Sequence, residues 1–447
     1  MGSCGYFMFC SGFFFRNTHN VGFHMSRAPL YDLISGIPQG VRFHTPGHKG
    51  RLGGIFNEIA KYDVTELPTT DDLYSPTGAI LQAEILASEY FNTQLTFFSA
   101  GGATLCIQAA LTFFRGKKII VERNCHVSVF NACGLLNITP VFIYNQTDVL
   151  PLPVTPQQVE DAIIYSPDAC AVFLTSPNYY GLCADLKKIK KVCENHNVKL
   201  IVDNSHGTHM YVTDRDNCAQ KNSDICVDSA HKTLPVLTGG AFLHINFKTD
   251  RLSVKETMRL FGSTSPSFLI LASLDYARNW LQNGGEEEIR ITADKVKRLK
   301  EKIKFTTAQS EPLRITVIDE NAEKIASLML ETGINYEMHT PVFVVLLFSP
   351  FNTEEDFTVV ENFFNSINIK PQKPDFCYKI VQSNQIVPYI DAILSPYKKV
   401  PAMQALGKIS ARNILPYPPG VPVVLAGEKI LNTEMISGQI YVLEKDE

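Results

Sequence analysis

Lys232 is the residue whose neighbours fit a protein surface least. It follows the apolar run Ile225 to Val227, sits among Ser229, His231 and Thr233, and leads into Leu-Pro-Val-Leu and the Gly239-Gly240 turn. Such surroundings desolvate an amine and lower its pKa from about 10.4, the condition for a lysine that forms a Schiff base. A lysine capping the end of a buried strand is the other reading of this stretch alone.

Three more groups carry chemistry-bearing residues. Asp203 ends the apolar run Lys-Leu-Ile-Val and opens Asp-Asn-Ser-His-Gly-Thr-His. A buried carboxylate needs a cationic partner. A protonated pyridine nitrogen is one; a metal is another, since Asp203, His206 and His209 have spacings a metal could use. His126 follows Arg123-Asn124-Cys125 and could lie against a planar ligand or be an ordinary loop histidine. Gly101-Gly102-Ala103-Thr104 opens a helix whose backbone N–H groups could cradle one phosphate, or it is a tight turn. No Walker or GxGxxG pattern points to a nucleotide. Phosphate cradle, imidazole, buried aspartate and shielded lysine together are the parts that hold pyridoxal 5′-phosphate.

Short apolar runs must position these groups. Strands are expected at Leu95 to Ser99, Lys118 to Glu122, Pro140 to Tyr144, Ala171 to Thr175, Lys199 to Asp203, Asp224 to Ser229 and Ala241 to Ile245. Helical patterns fall between most of them, at Ala103 to Phe114, Ser128 to Asn137, Thr155 to Tyr165 and Asp185 to Asn195. Strand, helix, strand at this spacing predicts an α/β fold with a mostly parallel sheet covered on both faces. Ligands then bind outside the carboxyl ends of the strands. Ser263 to Leu281 reads as a long helix, and from Glu286 a basic helix and alternating strands and helices predict a smaller α+β domain. Ile409 to Glu428, rich in Pro and Gly, reads as a rigid surface loop.

The 447 residues are 45% hydrophobic and 19% charged, with a formal net charge of −4. That is globular composition, with no electrostatic reason to expect nucleic acid or an anionic membrane as partner. The 11 cysteines show no CxxC pair, as expected for reduced thiols of a cytoplasmic protein. No stretch approaches the roughly 18 apolar residues of a transmembrane helix. Residues 1–24 read as a dispensable extension, so a chain begun at Met25 is expected to fold and be active.

In order along the chain, HTPGHKG, TTDDLYSPTG, ERNCHVS, TSPNYYG, DNSHGTH, DSAHKTLP, STSPSF and YPPGVP resemble the bacterial Orn/Lys/Arg decarboxylase family. The resemblance runs from about Met25 to Glu428, in the short form without an N-terminal receiver-like domain. It implies a fold-type-I, aspartate aminotransferase-like enzyme that decarboxylates arginine, lysine or ornithine with pyridoxal 5′-phosphate, for polyamine synthesis or acid resistance. The domain division expected is an irregular arm at 25–67, a cofactor-binding large domain at 68–285 and a small domain at 286–447.

By the same resemblance Lys232 bonds the cofactor, Asp203 pairs with its ring nitrogen, and His126 stacks on the ring. Gly102, Ala103, Thr104, Ser229 and His231 hold the phosphate, and His206 lies near the phenolic side. The family works as homodimers with shared active sites, so Ser263 to Ser265, with Ser265 foremost, reach the partner's phosphate. Four positions depart from the family pattern: Asn204 for Glu, Ala103 for Ser, Val127 for Lys and Ala426 for Pro. Arg412 is the residue to watch for a transaminase-like clamp on the substrate carboxylate. Asp71 and Asp72 are candidates for the substrate's distal cation, or simply an acidic turn.

Overall fold

The computed structural model describes residues 27–147, 149–375, 380–415, 420–433, 436 and 438–444. The expectations for residues 1–24 and for Tyr417 to Pro419 of the YPPGVP motif lie outside them.

Seven strands form the main sheet: β1 Leu95–Ser99, β2 Lys118–Glu122, β3 Thr139–Ile143, β4 Ala171–Thr175, β5 Lys199–Asp203, β6 Ile225–Asp228 and β7 Ala241–Ile245. Their order is β1-β7-β6-β5-β4-β2-β3, parallel throughout except for β7, which runs antiparallel to both β1 and β6. The mostly parallel sheet expected from the sequence is therefore present, with its strands within a residue or so of the predicted ends.

Alternate residues of one strand enter different cores. Ala171 and Phe173 of β4 join the cluster that holds Leu105, Phe242 and Leu271, whereas Val172 and Leu174 join Val159, Ile163 and Ile189 on the other face. A period of two with both faces buried makes the strands apolar from end to end. Polar residues are then tolerated chiefly where the strands stop. Asp203 is the last residue of β5, in register with Thr175 at the end of β4, and β6 ends beside it at Asp228.

A second, antiparallel sheet follows: β8 Thr306–Thr307, β9 Arg314–Ile318, β10 Met338–Thr340 and β11 Phe343–Leu347, in the order β10-β11-β9-β8. The helices Glu286–Lys302, Ala322–Glu331 and Glu354–Ser366 supply Val296, Ile325 and Phe364 to its own core. β12 Tyr397–Pro401 and β13 Gln439–Leu443 form a separate antiparallel pair over a cluster that includes Ala405, Ile430 and Val442. The described region from 286 onward thus contains more than one apolar core.

Three expectations need correction. The helix expected from Ser263 begins at Phe268, because Pro266 disfavours helical backbone before it and the Ser267 hydroxyl caps the Ile270 N–H. The arm is not wholly irregular: Pro29–Ser35 is helical, with Leu30 and Ile34 buried and the N–H groups of Leu30 and Tyr31 donating to Asp275 Oδ2. The described part of the Ile409 to Glu428 loop is not on the surface. Val421 to Glu428 is buried, because Glu428 pairs with buried Arg123 at 3.1 Å and takes the Leu425 N–H.

Candidate active site

A cavity of about 380 Å³ opens at the carboxyl rim of the main sheet. Its lining brings together Gly102, Ala103, Thr104, His126, Asp203, His206, Ser229, His231 and Lys232. Residues separated by up to 130 positions meet because their strands all end on one side.

The helix Gly102–Leu111 begins with no side-chain cap, and Gly102 has φ +71°, in the left-handed region that favours glycine. The Gly102 N–H donates to Gly239 O at 2.8 Å, so the N–H groups left facing a ligand are those of Ala103 and Thr104, which take no partner among the described residues. Ser229 is buried, with its hydroxyl 3.3 Å from the Ser205 hydroxyl. His231 Nδ1 lies 3.1 Å from Gly240 O, so Nδ1 carries the proton and donates.

His126 is the N-cap of the helix Val127–Leu135 and accepts the Ser128 N–H through Nδ1 at 3.2 Å. Burial holds its pKa below the ordinary imidazole value, with Lys232 adding to the effect and Asp203 opposing it. A neutral ring suits stacking on an aromatic ligand. Asp203 is buried; Oδ1 accepts from the Ser205 N–H at 3.0 Å and the Ser205 hydroxyl at 2.5 Å, and Oδ2 takes no partner among the described residues. Lys232 Nζ lies 2.9 Å from His206 Nε2. Burial lowers the Lys232 pKa, Asp203 and Glu337 push it back up, and Arg314 lowers it.

Asp228, at the neighbouring strand end, has a different environment. It accepts from Asn204 Nδ2 at 2.6 Å, Gln220 Nε2 at 2.7 Å and His244 Nε2 at 3.2 Å, deep in the protein. This gives Asn204, one of the departures, a physical reason. A glutamate there would set a second carboxylate against buried Asp228, whereas the amide supplies a donor.

Several expected residues lie elsewhere. Ser265 does not line this cavity; it lines a neighbouring one of about 280 Å³, which shares Thr104 with the first. Arg412 packs over the Tyr397 ring and donates to Ala411 O, so it offers no clamp on a substrate in this cavity. Asp71 accepts the N–H groups of Thr77, Gly78 and Ile80 and so caps the helix Ala79–Phe91, while Asp72 accepts those of Tyr74 and Ser75. The metal reading of Asp203, His206 and His209 is not supported. His209 faces Glu311 at 2.6 Å, both His206 nitrogens have protein partners, and no metal-holding group of His, Cys, Asp and Glu occurs among the described residues.

Sequence reasoning missed part of the lining. Glu337 contributes a carboxylate, and its Oε1 accepts the Tyr179 hydroxyl at 2.7 Å. Asn124 Oδ1 and Thr175 Oγ1, both on lining residues, are buried without a protein partner among the described residues. Tyr179 stood in the quoted motif TSPNYYG; nothing in the sequence around Glu337 marked it.

These residues fit pyridoxal 5′-phosphate. Two unpaired N–H groups at a helix start suit an anion, one unpaired carboxylate oxygen suits a ring N–H, and a desolvated amine suits an aldehyde. Orphaned Asn124 and Thr175 oxygens are what a cavity awaiting a polar ligand leaves.

Comparisons with known proteins point the same way. A family model described as Orn/Lys/Arg decarboxylase, major domain, matches residues 29–366, and one described as the C-terminal domain matches 386–445. The chain is 32% identical to the protein YaaO of Bacillus subtilis (strain 168) over 424 residues, 87% of this chain and 88% of that protein. It is 28% identical to the arginine decarboxylase of Halalkalibacterium halodurans over 460 residues, 92% of this chain and 93% of that one. The crystal structure of the Francisella novicida lysine decarboxylase LdcF has the same fold, with a TM-score of 0.76 at 18% identity, covering 94% of this chain and 82% of that one.

Proposed function

Since the chain belongs to the Orn/Lys/Arg decarboxylase family, we propose that the rim of the main sheet breaks the bond while the second sheet reads the substrate. The protein is a pyridoxal-phosphate-dependent enzyme that removes the α-carboxylate of a basic amino acid as carbon dioxide and leaves the amine. When bound, pyridoxal phosphate supplies an electron-accepting ring for the electrons of the breaking bond.

The chain's own residues supply the rest. Lys232 would hold the cofactor through its aldehyde, and its amine would serve as base and proton donor beside the substrate Cα. Asp203 holds a proton on the ring nitrogen through Oδ2, with Oδ1 anchored by Ser205. His126 covers one ring face. Ala103, Thr104, Ser229 and His231 hold the phosphate, and Gly102 shapes the turn. Ser265 of the neighbouring cavity is assigned to the phosphate of the partner in a homodimer with shared sites, a reading supported by the exposed arm residues Val41, Phe43 and Ile55.

Glu337 is the acid for the distal cation. It and Asp203 are the two carboxylates that line the cavity, and Asp203 is buried whereas Glu337 is exposed. A carboxylate with one oxygen fixed by Tyr179 suits the fork of a guanidinium, which places arginine first among the candidate substrates. The named arginine decarboxylases among its relatives support that order. Product amine for polyamine synthesis and a cytoplasmic location complete the reading; no helix among the described residues is long and apolar enough to cross a membrane.

The observation that carries the proposal is one cavity holding both a shielded lysine and a half-paired buried aspartate at neighbouring strand ends. Incubating the holo-protein separately with arginine, lysine and ornithine tests it. Carbon dioxide with the matching amine is expected, fastest from arginine; keto acid in place of carbon dioxide would overturn it.

A further inference from the structure

Lys232 is the near end of a buried chain of polar contacts that passes through Arg314, the first residue of β9 in the second sheet. His209 Nε2 meets Glu311 Oε2 at 2.6 Å, and Glu311 Oε1 pairs with Arg314 Nε at 3.3 Å. Arg314 NH2 meets His206 Nδ1 at 2.9 Å, and His206 Nε2 meets Lys232 Nζ at 2.9 Å. Arg314 is itself held by the carbonyls of Asn178 and Tyr179 at 3.2 and 2.6 Å, and the Tyr179 ring stands edge-on to His206 at 4.7 Å.

Donor and acceptor chemistry leaves one way to satisfy this chain. A guanidinium has five N–H donors and no acceptor, so His206 Nδ1 must present its lone pair to Arg314. A neutral imidazole with a bare Nδ1 carries its proton on Nε2. That N–H points at Lys232 Nζ, which can accept it only as an uncharged amine. With the other tautomer, Nδ1–H would face the Arg314 N–H. With a protonated ring, two N–H groups would face two further donors, with no acceptor between them in a buried site.

We propose that Arg314, reaching from the second sheet, is a positioning residue that fixes the tautomer of His206 and thereby holds Lys232 as the free-base nucleophile. The proposal rests on Lys232 being the cofactor-bearing lysine and says what prepares it. Other charged groups act on the same pair. Asp203 and Glu337 favour a charged Lys232, while His126, His209 and Arg314 all disfavour a charged His206. His231, one residue before Lys232, and Tyr179, edge-on to His206, are further titratable neighbours. Burial disfavours charge on both members of the pair.

The test is the rate at which apo-protein captures pyridoxal phosphate, followed by visible absorbance against pH. Capture joins Nζ to the aldehyde carbon with loss of water and needs the uncharged amine. In the wild-type protein the midpoint is expected well below the ordinary lysine value of about 10.4. Arg314→Met, which keeps length but has no donor, is expected to raise the midpoint by about one unit or more, slowing capture at pH 7 about ten-fold. Arg314→Lys, which can only donate, is expected to recover part of the shift. If Arg314→Met does not fold, His206→Phe removes the donor to Lys232 while keeping the Arg314–Glu311 pair, and the same rise is expected. A midpoint unmoved or lowered in the folded variant overturns the proposal. Hydride reduction and peptide mapping separate this failure from the larger one: label on a lysine other than Lys232 sinks the site assignment, whereas an unmoved midpoint with label on Lys232 sinks the tautomer clamp alone.

Discussion

The cavity has two walls of different electrical character. The wall built by the rim of the main sheet carries Lys232, His126 and His206, all of which burial pushes toward their uncharged forms, and one aspartate whose first oxygen is already bonded to Ser205. The wall on the side of the second sheet is charged: Glu337 lines the cavity and stands exposed, while Arg314 and Glu311, outside the lining, form a buried pair. Bond-making groups work best uncharged and dry, since a nucleophilic amine must have its lone pair free. Groups that recognise a cation or fix a tautomer work best with permanent charge. The two requirements conflict on a single element, and here they fall on separate sheets with separate cores.

Variants of the first wall should have the largest effect. Lys232→Ala is expected to abolish turnover and leave no covalent label after hydride reduction, measured as amine release and peptide mass. Asp203→Asn should retain the fold, because Asn keeps an oxygen for the Ser205 donors, yet lose about a hundred-fold or more of kcat, the scale of one lost electrostatic stabiliser. If Asp203→Asn kept most of its rate, the charge of this wall would be irrelevant to the chemistry.

The second wall should fail differently. Glu337→Gln is expected to raise KM for the basic amino acid by about ten- to a hundred-fold, as for one lost charge-assisted hydrogen bond, with kcat nearly unchanged. Steady-state kinetics that showed the reverse split would move Glu337 into the bond-breaking machinery and erase the division.

The same contrast explains what could be read in advance. Acids and lysines at the ends of apolar strands stand out, because a strand buried on both faces tolerates polarity chiefly where it stops, so Asp203, Lys232 and the glycine turn at Gly101 and Gly102 were legible. Arg314 heads the apolar strand Arg-Ile-Thr-Val-Ile, where an arginine reads as an ordinary exposed strand end; its partner His206 is 108 residues away. Glu337 precedes a three-residue strand, too short to show any period. The depth of Val421 to Glu428 was equally hidden. Pro and Gly revealed a loop, but burial there depends on Arg123, 305 residues before Glu428.

The smallest effect should come from the scaffold of the second wall. Thr353 and Asp356 form a capping box at the start of the helix Glu354–Ser366, which puts Phe357, Val360 and Phe364 into the core beneath that sheet. Thr353→Ala removes one cap and is expected to lower unfolding stability by about 1 kcal/mol, measured by denaturant titration. Neither Arg314 nor Glu337 bonds to this helix end, so KM and the pH midpoint of cofactor capture should stay where they are. A shift in either would mean that the charges of the second wall depend on how tightly its helix is wound, and the wall would then be a movable element rather than a fixed one.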